Sequence, residues 1–321
     1  MYNFRTDLAV ERREIYRRAN QLEDEISGIE TEEEKVNDSI QVSRVKVTNE
    51  QGEQAIGKPI GTYITIDVKN LKIANEEEIK EASKIVGEEL KKLVQKHLAK
   101  LDDILVVGLG NISVTPDALG PKVVNQIDIT RHIINYLPQY VDQENTRPVS
   151  AISPGVLGTT GIETQEILKG IVENIKPKLL IVIDSLASRS IERISSTIQL
   201  ADTGIIPGAG VGNKRKELTQ ETLGIPVIAI GVPTVVEAAT IAADSLDLFI
   251  QKMSNEVKQE NNTNQEKLIQ LLEGLKEEDK YEMIKEVLQP GEYNFIVTPK
   301  EIDELIENMS AVVANGINEA M

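Results

Sequence analysis

With 321 residues, no cysteine and two histidines, the chain is long enough to bury a core without staples. It is also excluded from disulfide frameworks, thiol nucleophiles and cysteine-ligated metal sites. The 35 Lys and Arg stand against 52 Asp and Glu, a formal net charge of −17, and such a field repels phosphate backbones and anionic membranes. No apolar run nears the roughly 20 residues that span a bilayer, and the first twenty residues lack the apolar middle of a signal peptide. The expected location is therefore the cytoplasm, with neither nucleic acid nor membrane as a partner.

In chain order, residues 1–38 are polar and charged, acidic at Glu30–Glu34, and read as a helix or ordered arm ending in a loop. Ile40–Val47 and Thr62–Val68 alternate apolar and polar residues, the mark of a half-buried antiparallel pair, with turn chemistry at 49–52 and 57–61 between them. Residues 75–100 read as a long Glu/Lys-rich amphipathic helix. The pattern then changes. Ile104–Leu109, Leu179–Ile183 and Val227–Gly231 are short continuous apolar runs, alternating with helical segments near 118–136, 162–175, 186–200 and 233–253. Such alternation implies an α/β fold, a mostly parallel central sheet covered by helices on both faces. Residues 254–263 are polar and loop-like. A helix at 265–288, an extended 293–297 and a terminal helix opened by the capping-box spelling Thr298-Pro-Lys-Glu301 complete a helical appendage.

Standard site motifs fail. Gly208-Ala-Gly-Val-Gly-Asn-Lys-Arg-Lys216 has Asn213 where a phosphate loop needs Gly before its Lys, and Arg215 where it needs Ser or Thr. Gly108-Leu-Gly-Asn-Ile-Ser113 lacks the last Gly of a dinucleotide fingerprint. His132 lies about 22 Å beyond Asp117 if the predicted helix is continuous at 1.5 Å per residue, so it reads as structural, and His97 as a surface residue. What remains is a pair of aspartates. Asp117 sits in the loop after the strand 104–109, and Asp184 directly follows the strand 179–183. Ligands bind beyond the carboxyl ends of strands in open parallel sheets. Two carboxylates brought together there share one proton, so that one acts as a base toward water and the other as an acid. Position alone leaves a second reading open, because Thr115-Pro-Asp117 and Asp184-Ser185 also spell helix caps. Glu163 reads as a first-turn helix residue or a third acidic group. Arg189 and Arg193, four apart on a predicted helix, read as surface-paired or anion-binding. The basic cluster Lys214, Arg215 and Lys216 reads as a solvated loop or as a pocket for an acidic substrate residue.

Several strings carry a resemblance. Arg5-Thr-Asp-Leu-Ala-Val-Glu11, Val106-Val-Gly-Leu-Gly-Asn111, Val114-Thr-Pro-Asp-Ala-Leu-Gly-Pro121, Arg147-Pro-Val-Ser-Ala-Ile152, Gly161-Ile-Glu-Thr164, Ser190-Ile-Glu-Arg193, Asp202-Thr-Gly-Ile205, Pro207–Leu218 and Gly224–Thr234 resemble the germination (spore) protease family of endospore-forming bacteria. The likeness runs in order from about residue 5 to the terminus. It implies an endopeptidase of the spore core that degrades small acid-soluble spore proteins during germination. It also implies a self-processing zymogen, a homotetramer, and a core similar to hydrogenase maturation proteases. By motif, the family's two implicated aspartates fall on Asp117 and Asp184, which suggests an atypical aspartic protease without cofactor. Thr6-Asp-Leu-Ala-Val-Glu11 matches the family's substrate pattern, so self-cleavage is expected between Asp7 and Leu8. The expected organisation is a propeptide 1–7, an α/β core 8–253 and a helical C-terminal extension 254–321. Two rival readings are a metal-dependent peptidase ligated by Asp117, Asp184 and Glu163, and a non-enzymatic binding protein whose aspartates only cap helices.

Overall fold

A computed structural model describes residues 6–22, 24–69, 71, 74–99, 101–142, 144–208, 215–260, 274, 277–288 and 295–321. The N-terminal part opens with an extended segment and helix α1 (Ala9–Ala19). The acidic stretch expected in a loop is instead strand β1 (Ile29–Lys35), antiparallel to β2 (Ile40–Val47), which is antiparallel in turn to β3 (Gly61–Val68). Cross-strand charge holds so acidic a strand in place. Glu32 stands opposite Arg44 and Glu30 opposite Lys46, and Arg44 also pairs with Glu34 and with the buried Glu89 at 2.8 and 2.7 Å. Between β2 and β3 the chain forms α2 (Glu50–Ile56), capped by Asn49. Helix α3 (Glu76–His97) follows, opened by a capping box between Asn75 and Glu78.

The apolar runs become strands, as their composition requires. These are β4 (Ile104–Gly108), β5 (Val149–Ile152), β6 (Leu179–Ser188), β7 (Thr197–Ala201) and β8 (Val227–Glu237), with a short β9 (Ile296–Val297). The sheet runs β1-β2-β3-β7-β8-β6-β4-β5, and β9 pairs with β8. Strands β8, β6, β4 and β5 are mutually parallel. Strand β7, antiparallel to both β8 and β3, fuses this half to the antiparallel N-terminal strands. Period-2 alternation splits each buried strand between two cores. Val106, Ile181 and Ile183 pack under α3 and the C-terminal helix (Ile302–Ala320), whereas Leu105, Val107, Leu180 and Val182 pack with Leu168 of the helix Thr164–Ile175.

Further expectations are corrected. The predicted helix 118–136 is broken into α4 (Leu119–Val124) and α5 (Arg131–Tyr136). Between them Asn318 of the C-terminal helix takes the backbone, its Oδ1 accepting from Asp128 N–H and its Nδ2 donating to Gln126 O, both at 3.0 Å. His132, on α5, is exposed. No helix occupies 186–200: β6 continues to Ser188, a single tight turn covers Ile191–Arg193, and β7 follows. Strand β8 likewise runs to Glu237 before its helix, Ala238–Glu260, begins. That helix continues through 254–260, where a loop was expected, so the boundary at 253/254 falls inside a helix. Finally, the Thr298–Glu301 box does not form. Thr298 Oγ1 donates to Thr234 O at 2.9 Å instead, and Glu301 at the N-cap makes no side-chain cap bond. The predicted helix 265–288 is described at Glu277–Leu288; residues 265–273 lie outside the described residues. The appendage is nevertheless packed on the core, since the C-terminal helix lies along α3 and over α4.

Candidate active site

Both aspartates lie at the carboxyl end of the parallel strands. The turn that carries Asp117, a single tight helical turn at Thr115–Asp117, leaves β4 and rests against β6 and β8. Its approach requires Gly110. That residue has φ +109°, and a Cβ there would stand 2.0 Å from the Asp117 carbonyl oxygen. Asn111 N–H donates to Asp117 Oδ2 at 2.8 Å. Burial pushes the Asp117 carboxyl above its ordinary range, and that hydrogen bond opposes the shift.

Asp184 does not follow its strand but lies within it, because β6 extends to Ser188. A helix-capping role for Asp184 therefore has no helix to act on. Its side chain is buried, 6 % exposed, and its Oδ1 accepts the N–H of Ser185 at 2.9 Å. Its carboxyl is raised well above the usual value, first by burial, then by the charges of Asp117 and of Asp7; the Ser185 bond opposes the shift. A buried carboxyl that keeps its proton to higher pH, acted on by the charge of a second, partly solvated one, is the kind of arrangement in which an acid and a base can be set apart.

The N-terminal segment lies at the same strand ends. Asp7 N–H donates to Ala187 O at 2.9 Å, and Ala187 N–H donates to Asp7 Oδ2 at 3.0 Å. Leu8 is fully buried and packs with Val10 and Leu186. Glu11, 3 % exposed, accepts the consecutive N–H groups of Arg189 and Ser190 at 2.8 and 3.0 Å and the hydroxyl of Thr6. The guanidinium groups expected on one helix face are in fact held one ahead of the Ile191–Arg193 turn and one at its last residue. Arg189 pairs with Asp244 at 2.6 Å. Arg193 makes a two-pronged contact to Asp67 at 2.8 and 2.9 Å and faces Glu11 at 3.6 Å. Both line a cleft of about 1020 Å³ that neither Asp117 nor Asp184 enters.

Of the other described candidates, one stands at a helix N-cap and another is held in a contact of its own. Glu163 is the N-cap residue of α7 (Thr164–Ile175), where its side chain makes no cap bond. Lys216 pairs on the surface with Glu166 at 2.7 Å, Arg215 is half-buried, and Lys214 lies outside the described residues. Among the described residues no cluster of three or more His, Asp or Glu side chains stands where it could hold a metal ion, so Glu163 does not complete a ligand set with the aspartates. No described helix is long and apolar enough to cross a membrane. Sequence reasoning missed Gln199 and the seat of Glu11. The strand alternation of Thr197-Ile-Gln-Leu-Ala201, with Gln between two apolar residues, was the available signal.

A family model described as "Germination protease" matches residues 7–269 and 260–321. The germination protease of Clostridium acetobutylicum is 48% identical, covering 100% of this chain and 96% of that relative. The one from Clostridium perfringens is 49% identical with the same coverages, and the one from Bacillus pumilus is 43% identical over 100% and 94%. A solved [NiFe] hydrogenase maturation protease, HycI from Thermococcus kodakarensis, aligns at TM-score 0.29 and 18% identity over 46% of this chain and 80% of that one.

Proposed function

Since the chain belongs to the germination protease family, we propose that Asp117 and Asp184 share a proton and hydrolyse peptide bonds of small acid-soluble spore proteins in the germinating spore core. We also propose that the chain is made as a zymogen and cuts itself between Asp7 and Leu8. The observation that carries this reading is that Asp117, the buried Asp184 and Asp7, bonded to Ala187 three residues beyond Asp184, gather at the same strand ends. In the mechanism, the ionised partner takes a proton from water and the protonated partner supplies one to the departing nitrogen. The partly exposed Asp117 is the better base and the buried Asp184 the better acid.

The charge of Asp7, the acidic residue before the cut, is offset by cations from this chain's own N-terminal half. Its charge acts on both Arg12 and the half-buried Lys58, each lowered first by burial and supported by Asp7. Arg189 and Arg193 are engaged with other carboxylates and belong to the seat of Glu11. Leu248, Phe249, Met283 and Val287 are exposed and offer an apolar surface for assembly into a homotetramer.

The purified full-length chain is incubated, its new N-terminus sequenced, and a small acid-soluble spore protein then added. A chain beginning at Leu8 that fragments the substrate supports the reading. A chain that stays intact and leaves the substrate whole under every condition sinks it in favour of a non-enzymatic role.

A further inference from the structure

We infer that Gln199 brackets the Asp7–Leu8 peptide and donates a hydrogen bond to its carbonyl oxygen as the bond is cut. The inference rests on the cleavage site proposed above and assigns the group that meets the reacting carbonyl.

Strand alternation puts Ile198 and Leu200 of β7 into the core under α3, which turns Gln199 to the opposite face, toward α1. There the side chain is 7 % exposed and uses both ends of its carboxamide. Its Oε1 accepts the N–H of Ala9 at 2.7 Å, and its Nε2 donates to the carbonyl oxygen of Asp7 at 3.2 Å. The Asp7 carbonyl is the one that hydrolysis between Asp7 and Leu8 attacks, so the two bonds fall on either side of the scissile peptide.

Register ties this clamp to the aspartates. Gln199 of β7 stands opposite Gly231 of β8, and Gly231 stands opposite Asp184 of β6. Residues paired across neighbouring strands point to the same face, so Asp184 and Gln199 project together. They are about 10 Å apart at two inter-strand spacings, and the strand between them carries no side chain. Leu186 takes that space, since a Cβ on Gly231 would meet its Cδ1 at 2.3 Å. Leu8 in turn packs against Leu186. The sheet thus offers a carboxyl on one side, an amide donor on the other and an apolar seat for Leu8.

The chemistry balances with water as the co-reactant. The water oxygen bonds to the Asp7 carbonyl carbon while one of its protons passes to the ionised aspartate, and the carbonyl π pair moves onto oxygen. The Gln199 Nε2–H faces that developing charge. On collapse the C–N bond breaks, the Leu8 nitrogen takes a proton from the protonated aspartate, and the products are an Asp7 carboxyl group and a Leu8 amine. A neutral amide suits the role because it stabilises the oxyanion without titrating or competing for the shared proton.

A structural tether is the competing role for the same two bonds, and the direction of the rate change separates them. The measurement is the rate constant for appearance of the Leu8 N-terminus in the full chain, alongside the thermal midpoint. Gln199→Glu keeps an acceptor for Ala9 but cannot donate when ionised, and Gln199→Met is uncharged and of similar length. The inference predicts that both variants process roughly 100-fold more slowly or worse, the scale of losing one oxyanion donor. The methionine variant, which avoids a new buried charge, decides the matter if the glutamate variant loses cooperative unfolding. Processing at the wild-type rate or faster, with a lowered midpoint or faster amide exchange in α1, assigns Gln199 to tethering and overturns the inference. An Asp184→Asn control keeps the two proposals apart. If it still yields Leu8, or the wild type never does, the cleavage reading itself fails and takes this inference with it. If cleavage depends on Asp184 but not on Gln199, only this inference falls.

Discussion

Replacing Glu11 with alanine removes the carboxylate on which the start of α1 is hung. That carboxylate is buried and accepts two backbone N–H groups, from Arg189 at 2.8 Å and Ser190 at 3.0 Å, besides the Thr6 hydroxyl and the facing Arg193. A hydrogen bond to a charged group contributes about 1.5–3 kcal/mol, but the bonds share one carboxylate and do not add independently. The variant also leaves two partly buried N–H groups without their acceptor, each at a cost of about 1–3 kcal/mol, while Arg193 keeps Asp67. The expected loss is therefore about 2–6 kcal/mol for Glu11→Ala. For Glu11→Gln, which keeps one acceptor oxygen, it is about 2 kcal/mol. Urea unfolding, with hydrogen exchange over residues 9–19 to localise the loss, measures both. Exchange in α1 should accelerate before the parallel half of the sheet responds. A loss under about 1 kcal/mol, the range of an exposed ion pair, with α1 still protected would refute the reasoning.

Asp184→Asn should stabilise the fold in a pH-dependent way. The folded carboxyl holds its proton to higher pH than the unfolded one, so its unfavourable effect is absent below the unfolded value near ~3.9 and grows as pH rises toward the folded value. Thermal midpoints should accordingly converge in acid and favour the asparagine variant at neutral pH; a variant less stable at every pH contradicts this. Gly110→Ala should impair cleavage more than stability. Its φ of +109° strains any L side chain, and the added Cβ would displace the Asp117 carbonyl from 2.0 Å; an unchanged cleavage rate would show that the loop tolerates the shift. Leu8→Ala empties a fully buried seat beside Leu186 and should cost about 2–5 kcal/mol in the uncut chain, measured by urea unfolding. Cleavage should persist in excess chelator, because the reaction is assigned to two carboxylates; abolition by chelator with rescue by one added metal would return the metal-dependent reading.

The strands at 104–108, 179–183 and 227–231 were legible because runs buried on both faces must be apolar throughout, whatever the rest of the chain does. Asp117 and Asp184 were legible for a related reason: an acidic residue at the end of such a run sits where a parallel sheet opens. What escaped was decided by distant partners. Leu186–Leu200 has the charge spacing of a helix surface, yet the N–H groups of Arg189 and Ser190 go to Glu11, far earlier in the chain, and Arg193 goes to Asp67. The break between α4 and α5 depends on Asn318, near the other terminus. Strand β1 depends on basic residues of β2, without which the four consecutive charged positions Glu32–Lys35 look like loop. Gln199 escaped because a strand read as helix conceals which face each residue occupies, and with it the register through Gly231 to Asp184.

The central claim is that two carboxylates, Asp117 and Asp184, carry out the hydrolysis together. N-terminal sequencing of the full chain after incubation, run side by side on the wild type, Asp117→Asn and Asp184→Asn with matched circular dichroism, tests it most directly. The account predicts a Leu8 N-terminus for the wild type and none for either folded variant. A Leu8 terminus appearing at wild-type rate in either asparagine variant would contradict it.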